Sequence, residues 1–194
     1  MFSDLEVLTQ GNNFARLLGG LGVSIEIALA SMALSIVFGT LMGVAMASKS
    51  KALKAVTQAY LQFVRIMPQL VLLFLVYFDA TRAWGLNLDA RVAAIIVFTL
   101  WGTAELGDLV RAAIESVPRH QYLSAAALGI EGRALYRHVV LPQALRITLP
   151  PLLSQALNLW KNTSIATVIG AAELMTQAQR VEDRGVDIAA RHRI

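Results

Sequence analysis

Apolar and polar positions along this chain separate into long lipid-compatible runs joined by short basic connections. Leu17 to Ala47 contains a single charged residue, Glu26. About 20 apolar residues cross a bilayer core, so 17–47 predicts a first membrane span. Within it Ser31, Ser35, Gly39, Gly43 and Ala47 recur at every fourth position, which predicts a ridge of small side chains for close helix packing. Lys49, Lys51 and Lys54 follow with no acidic neighbour. That loop is expected in the cytoplasm and the N-terminus outside. Asp4 and Glu6, with no lysine or arginine before Arg16, make a poor match to a cleaved signal peptide.

The second run, 56–78, begins with Gln58, Gln62, Arg65 and Pro68 before the clean apolar stretch Leu70 to Phe78. It predicts a tilted or broken helix whose first half is shielded by protein. After an outer connection from Asp79 to Arg91, a third span is expected over 92–110. Glu105, Asp108 and Arg111 follow one another at spacings of three, so Asp108 and Arg111 are expected to pair. The pair reads as neutralised charge at the cytoplasmic interface, with a gating or subunit-contact role as the alternative.

The segment 115–144 leaves the membrane, and its arginines Arg119, Arg133 and Arg137, with Arg146 just beyond, hold it in the cytoplasm. Ala125, Ala126, Ala127 and Leu128 favour a short helix. Gly129 is expected to end it in the left-handed conformation. An amphipathic helix on the membrane surface is the alternative.

A fourth span, 145–172, is irregular. Pro142, Pro150 and Pro151 are expected to interrupt it, and Gln155, Asn158 and Asn162 share one helical face. Thr163 or Ser164 is expected to cap a new half-helix near Ile165. The amides of such a half-helix attract a carboxylate, and Lys161 adds a full positive charge. Asn158, Lys161, Asn162, Thr163 and Ser164 are therefore candidate solute-contact residues, with a structural polar network as the alternative. Residues from Glu173 onward are too polar for another span. The reading is a single domain, 1–194, with four spans and both termini outside.

Composition agrees with a membrane protein: 56% of residues are hydrophobic, 15% are charged and the mean hydropathy is +0.58. The formal charge of +4 sits beside apolar spans, as positive-inside topology predicts, and does not point to nucleic acid. The absence of cysteine removes disulfides and most zinc sites. His120, His138 and His192 form no ligand pattern, so no metal site is expected. No nucleophile–base pairing suggests a catalytic residue. A G-x-x-x-x-G-K-[ST] phosphate loop is also missing, so the chain has no recognisable means of hydrolysing ATP.

The stretch Gln121-Tyr122-Leu123-Ser124-Ala125-Ala126-Ala127-Leu128-Gly129, followed by Tyr136-Arg137-His138-Val139-Val140-Leu141-Pro142, resembles the "EAA" loop of bacterial ABC-transporter permeases, above all the polar amino-acid importers. Arg65-Ile66-Met67-Pro68 resembles that family's arginine-x-x-proline signature, and Lys161-Asn162-Thr163-Ser164-Ile165 a further motif of it. The likeness runs from about Leu17 to Arg184 and is most specific over Val117 to Gly170.

The resemblance implies an all-α polytopic transmembrane bundle of the type I ABC-importer permease kind, in the bacterial cytoplasmic (inner) membrane among its lipids. It implies that Ala125, Ala126, Ala127, Leu128, Gly129, Leu141 and Pro142 belong to a coupling loop seated on a separate ATP-binding subunit. ATP and Mg would be held there, with no cofactor on this chain. An extracytoplasmic solute-binding protein and a second permease copy, or a sister permease, complete the implied assembly. The implied solute is a polar amino acid, and the local pattern looks closest to permeases for glutamate, aspartate and related amino acids.

Two departures stand out. Leu123 occupies the place where the family often has the glutamate of E-A-A. After Arg184 the family normally continues into another transmembrane helix, whereas Gly185 to Ile194 is short and carries Asp187, Arg191, His192 and Arg193. The chain thus resembles a permease that lacks the last family helix, as a truncation or altered reading frame would produce. An ion-gradient-driven secondary transporter and a non-transporting membrane scaffold are the rival readings, and the cytoplasmic glycine-to-proline loop is the feature that argues against both.

Overall fold

The computed structural model describes residues 11–79, 82, 83, 85 and 87–191, with side chains described as far as Arg184; regular structure among the described residues is entirely helical. The features expected at Asp4, Glu6, His192 and Arg193 lie outside the described residues. Helix α1 (Asn13–Ala47) has 35 residues. At 1.5 Å per residue it is about 50 Å long, more than the hydrocarbon thickness of a bilayer. Ser50 caps helix α2 (Lys51–Ile66) by accepting from the Leu53 amide at 3.4 Å. Met67 then turns extended, at φ −79° and ψ 122°, because the ring of Pro68 disfavours helical geometry in the residue before it. Helix α3 (Gln69–Phe74) resumes and runs into a π turn, Leu75–Asp79. The expected break in the second span is therefore present, at Met67-Pro68.

Helix α4 (Ala90–Glu115) is followed by α5 (Arg119–Ala127) and α6 (Gly132–Leu135), then a π turn over Tyr136–Val140 and α7 (Leu141–Asn162). Tyr136 and Leu141 both keep right-handed helical angles, so the path from Gly132 to Asn162 is continuous. A 3-10 segment, Thr163–Ile169, and helix α8 (Leu174–Arg191) complete the order. Among the described residues, α1 and α4 are long and apolar enough to cross a membrane. The sharply bent pair α2–α3 makes a third crossing if taken as one span. Neither α7 nor α8 belongs to that group.

The last expected span differs from expectation in two ways. Pro150 and Pro151 lie inside α7 without ending it. Each lacks an N–H and leaves one carbonyl a turn earlier without its helical donor, but the helix continues on either side. The half-helix near Ile165 does not form. Asn162 stays right-handed at φ −69° and ψ −15°, and the chain tightens directly into the 3-10 segment until Gly170, at φ +78°, stops it. The hydroxyls of Thr163 and Ser164 donate backward to the carbonyls of Trp160 and Lys161, at 2.8 and 2.9 Å, and cap no new N-terminus. Both residues bond locally to the end of α7, so no fresh set of free amides opens there.

The chain divides into two compact units. One comprises Ser31–Gln69 and Phe98–Leu159, the other Met1–Ala30, Leu70–Val97 and Trp160–Ile194. In the first, the small-residue ridge of α1 meets α4. A Cβ on Gly39 would stand 2.7 Å from the Cβ of Leu106, and one on Gly43 would stand 2.5 Å from the Cβ of Val110 and 2.7 Å from the carbonyl oxygen of Gly107. Ser35 packs on Gly102 and donates to the Thr99 carbonyl at 3.4 Å. Met42, Met46, Leu61, Val64 and Ala104 form one apolar cluster with Tyr60 and Trp101 around it.

In the other unit Glu173 is buried and organises the contacts. Its carboxylate accepts from Thr167 Oγ1 at 2.6 Å, the Thr176 amide at 2.7 Å, the Met175 amide at 2.9 Å and Ser24 Oγ at 3.5 Å. The Leu174 amide donates to Ser24 Oγ at 3.1 Å. Glu173 thus fills the N-terminus of α8 with its own charge, where the helix dipole favours an anion. Gly20 lies against Gln177 and the Glu173 carbonyl in the same unit, leaving no room for a side chain.

Candidate functional site

The segment between α4 and α7 is built as a short helix held from behind. Val117, Ala113, Ile114, Val140 and Ala144 form a buried cluster, with Tyr122 and Leu135 packed against it. This cluster fixes both ends of the segment, since Val117 precedes α5 and Val140 ends the π turn. π turns are rare and gather at functional sites; this one spans Tyr136–Val140, immediately before Leu141 and Pro142. Burial, with the Tyr136 phenol nearby, pushes the Tyr122 hydroxyl above its ordinary pKa, so Tyr122 stays neutral at physiological pH.

Helix α5 ends as expected. Gly129 stands at φ +70°, its amide donates to the Ala126 carbonyl at 3.0 Å, and the Ile130 amide donates to the Ala125 carbonyl at 2.9 Å. Those two bonds are the paired closure of a Schellman motif. Ala125 is buried against the rest of the chain and anchors the helix. Ser124, Ala126 and Ala127 are exposed, flanked by Leu123 at 64% and Leu128 at 77% exposure. Leu141 and Pro142 are exposed at the start of α7. The outward face is small-sided, with two projecting leucines.

The expected solute-contact residues fall at the end of α7 and in the 3-10 segment. Asn158 and Lys161 are exposed, Asn162 is half-buried, Thr163 is buried and Ser164 is exposed. Lys161 forms no ion pair among the described residues and sits in the last turn of α7, where a cation also complements the helix dipole. No new half-helix end opens beside these residues, so the Lys161 charge stands there without one. The next helix N-terminus, that of α8, is already occupied by Glu173.

Sequence reasoning found the Asp108–Arg111 pair, which closes at 2.6 Å, but missed its larger setting. Arg65 reaches from α2 to α4, its Nε 2.9 Å from Glu105 and its Nη2 2.8 Å from Asp108. Arg111 also binds Glu115 at 2.6 Å, and Gln155 of α7 donates to Glu105 at 3.5 Å. Five ionised side chains and an amide therefore form one network within a single unit.

The sequence profile described as "Binding-protein-dependent transport system inner membrane component" matches residues 35–189. A relative in Bacillus subtilis (strain 168), the probable glutamine ABC transporter permease protein GlnM, is 34% identical over 88% of this chain and 78% of its own length. The L-cystine transport system permease protein TcyB of the same organism is 32% identical over 93% of this chain and 76% of its own length. A solved chain from "Crystal structure of an amino acid ABC transporter with histidines" superposes with a TM-score of 0.83 at 26% identity, covering 91% of this chain and 82% of that one.

Proposed function

The chain belongs to the binding-protein-dependent transport system inner membrane components, as an ABC permease of the polar amino-acid kind, and from that membership we propose the following division of labour. This subunit supplies the membrane path and the coupling loop. A separate ATPase binds and hydrolyses ATP with Mg, an extracytoplasmic binding protein delivers the solute, and a second copy or a sister permease completes the path in the bacterial cytoplasmic (inner) membrane. The carrying observation is the closed, back-anchored helix α5, whose outward face presents Leu123 and Leu128. Burying each leucine on a partner is worth about 1.5–3 kcal/mol. Docking then rests on shape and apolar area, since Leu123 offers no carboxylate.

The solute we propose is a polar amino acid: glutamate, aspartate or a related one such as glutamine. An exposed Lys161 with no ion pair among the described residues supports a solute with a carboxylate, and relatives named for glutamine and cystine support the wider class. The test is purification in detergent with identification of co-purifying chains, then reconstitution in liposomes and uptake of each of the twenty labelled L-amino acids. ATP-dependent accumulation of a polar one is expected. Uptake driven by an ion gradient without an associated ATPase would point to a secondary transporter, and no uptake at all to a scaffold.

Two substitutions separate the parts. Gly129→Val forces a branched residue into the left-handed region, at about 1–2 kcal/mol, and reorients the end of α5. Transport-coupled ATP hydrolysis should fall while the protein still inserts; unchanged coupling would remove α5 from the ATPase contact. Lys161→Met keeps most of the side-chain length and removes the charge. Uptake should fall further than ATPase activity measured without solute, and equal uptake at matched expression would make Lys161 structural.

A further inference from the structure

We propose that the apolar groove between the end of α1, the end of α4 and the start of α7 holds an acyl chain of one anionic phospholipid, whose phosphate is met by the lysines that follow α1. The inference needs the chain only to be a membrane protein, and it stands whichever solute is carried.

The groove has a volume of about 310 Å³ and is lined by Val44, Ala47, Ser48, Ile114, Tyr136 and Leu141, all within one compact unit. Ligand sites begin at about 300 Å³, so there is room for part of one hydrocarbon chain. The apolar lining continues as a stripe on each of two helices. Val37, Leu41 and Val44 are exposed on one face of α1, and Leu141, Leu145 and Leu149 are exposed at every fourth position of α7. Because α1 ends at the groove and α7 begins there, both stripes lead away from it along their helices. An acyl chain leaving the groove therefore meets apolar side chains on either one.

The other end of the groove is basic. Lys49 follows Ser48 directly, Lys51 and Lys54 lie in the first turn of α2, and Arg137 follows Tyr136. All four are exposed and form no ion pair among the described residues. No Asp or Glu occurs between Glu26 and Asp79. Glu115, beside Ile114, is the one carboxylate that flanks a lining residue in sequence, and Arg111 already holds it at 2.6 Å. Basic side chains beside a slot between helices suit an anionic headgroup. Tyr136, with an apolar ring and a polar tip, suits the level at which chain gives way to headgroup. It opens the π turn and Leu141 follows the end of that turn, so a lipid seated on both braces the turn against α1. A protein occupant would have to bring an apolar side chain to the groove and carboxylates to the lysines. A phospholipid carries an apolar chain and an anion in one molecule and is present wherever the chain is embedded.

The experiment titrates the protein, purified in neutral detergent with its co-purifying chains, with phosphatidylglycerol, with phosphatidylcholine of the same acyl chains, and with glycerol phosphate. Native mass spectrometry reads the bound molecules, and the melting temperature reads their effect. Phosphatidylglycerol should be retained as one molecule per copy of this chain and should raise the melting temperature; the other two probes should do neither. Replacing Lys49 and Lys51 together by glutamine should weaken its binding about thirtyfold, at about fivefold for each lysine near an anionic group. Val44→Phe fills the groove from an exposed position and leaves every charge in place, and it should abolish the one-to-one retention. Arg91→Gln removes a charge at the opposite end of α4 and should bind as the parent does. Equal retention of phosphatidylcholine would reduce the lipid to a general solvent shell and overturn the proposal. Parent-like retention in Val44→Phe would free the groove of any role, and parent-like retention in the double lysine variant would remove the charge; either result overturns it. A parent that retains no lipid, together with loss of a co-purifying chain from Val44→Phe, would assign the groove to a protein contact instead.

Discussion

Replacing Glu173 by alanine should cost the protein on the order of 4 kcal/mol, because the Thr167 hydroxyl and the amides of Met175 and Thr176 would be left near a cavity with no acceptor. A buried donor without a partner costs about 1–3 kcal/mol, and loss of a helix cap about 1 more. Glu173→Gln keeps one acceptor oxygen but turns an NH2 group toward other donors, so it should fall between the two. The melting temperature of the purified protein in detergent should follow the order Glu173, Gln, Ala. An alanine variant as stable as the parent would mean that water or a rotated Ser24 replaces the carboxylate, and that the cap is dispensable.

Gly43→Leu is expected to have the other large effect. Its Cβ alone would lie 2.7 Å from the Gly107 carbonyl oxygen, a backbone atom that has no rotamer to escape into, and 2.5 Å from the Cβ of Val110. Overpacking a tight contact costs about 1–3 kcal/mol even for a small addition, and leucine adds three further carbons. Helices α1 and α4 would have to part, dismantling the neighbouring apolar contacts of Met42 and Met46. The amount of folded protein recovered from membranes should drop severely. Gly22→Ala is the control, since nothing lies within 4 Å of a Cβ there; better helix propensity should stabilise it by about 0.5–1 kcal/mol. Parent-like yield from Gly43→Leu would show that the close approach is not needed for folding.

What was legible in the sequence was what a single helix displays. The four-residue recurrence from Ser31 to Ala47 forecast a close helix contact, without saying that α4 would make it, Gly129 forecast the stop of α5, and the i,i+3 spacing forecast the Asp108–Arg111 pair. Pro68 announced the break between α2 and α3. Contacts across helices were not legible, because periodicity carries no information about which faces meet. Arg65 finds Glu105 forty residues away. Glu173 was missed for a different reason: glutamate is an uncommon cap, and a signal sought among Ser, Thr, Asp and Asn passes over it, although Gly170 shortly before it marks a chain reversal in the left-handed region. The half-helix at Ile165 failed because Thr163 and Ser164 have a second way to use their hydroxyls, back toward the turn they follow. The π turns carry no compositional mark at all.

The Ser24–Glu173 contact also sets an order of events at the ribosome. Ser24 and Glu173 are 149 positions apart. At about 5–20 residues per second, roughly 8–30 s separate their synthesis. Throughout that interval the N-terminal half of α1 has no partner in Glu173 or α8, and Ser24 must satisfy its hydroxyl elsewhere. The N-terminal half of α1 is therefore made long before its partner α8, and a chain stopped before Leu174 would leave Ser24 without that partner permanently.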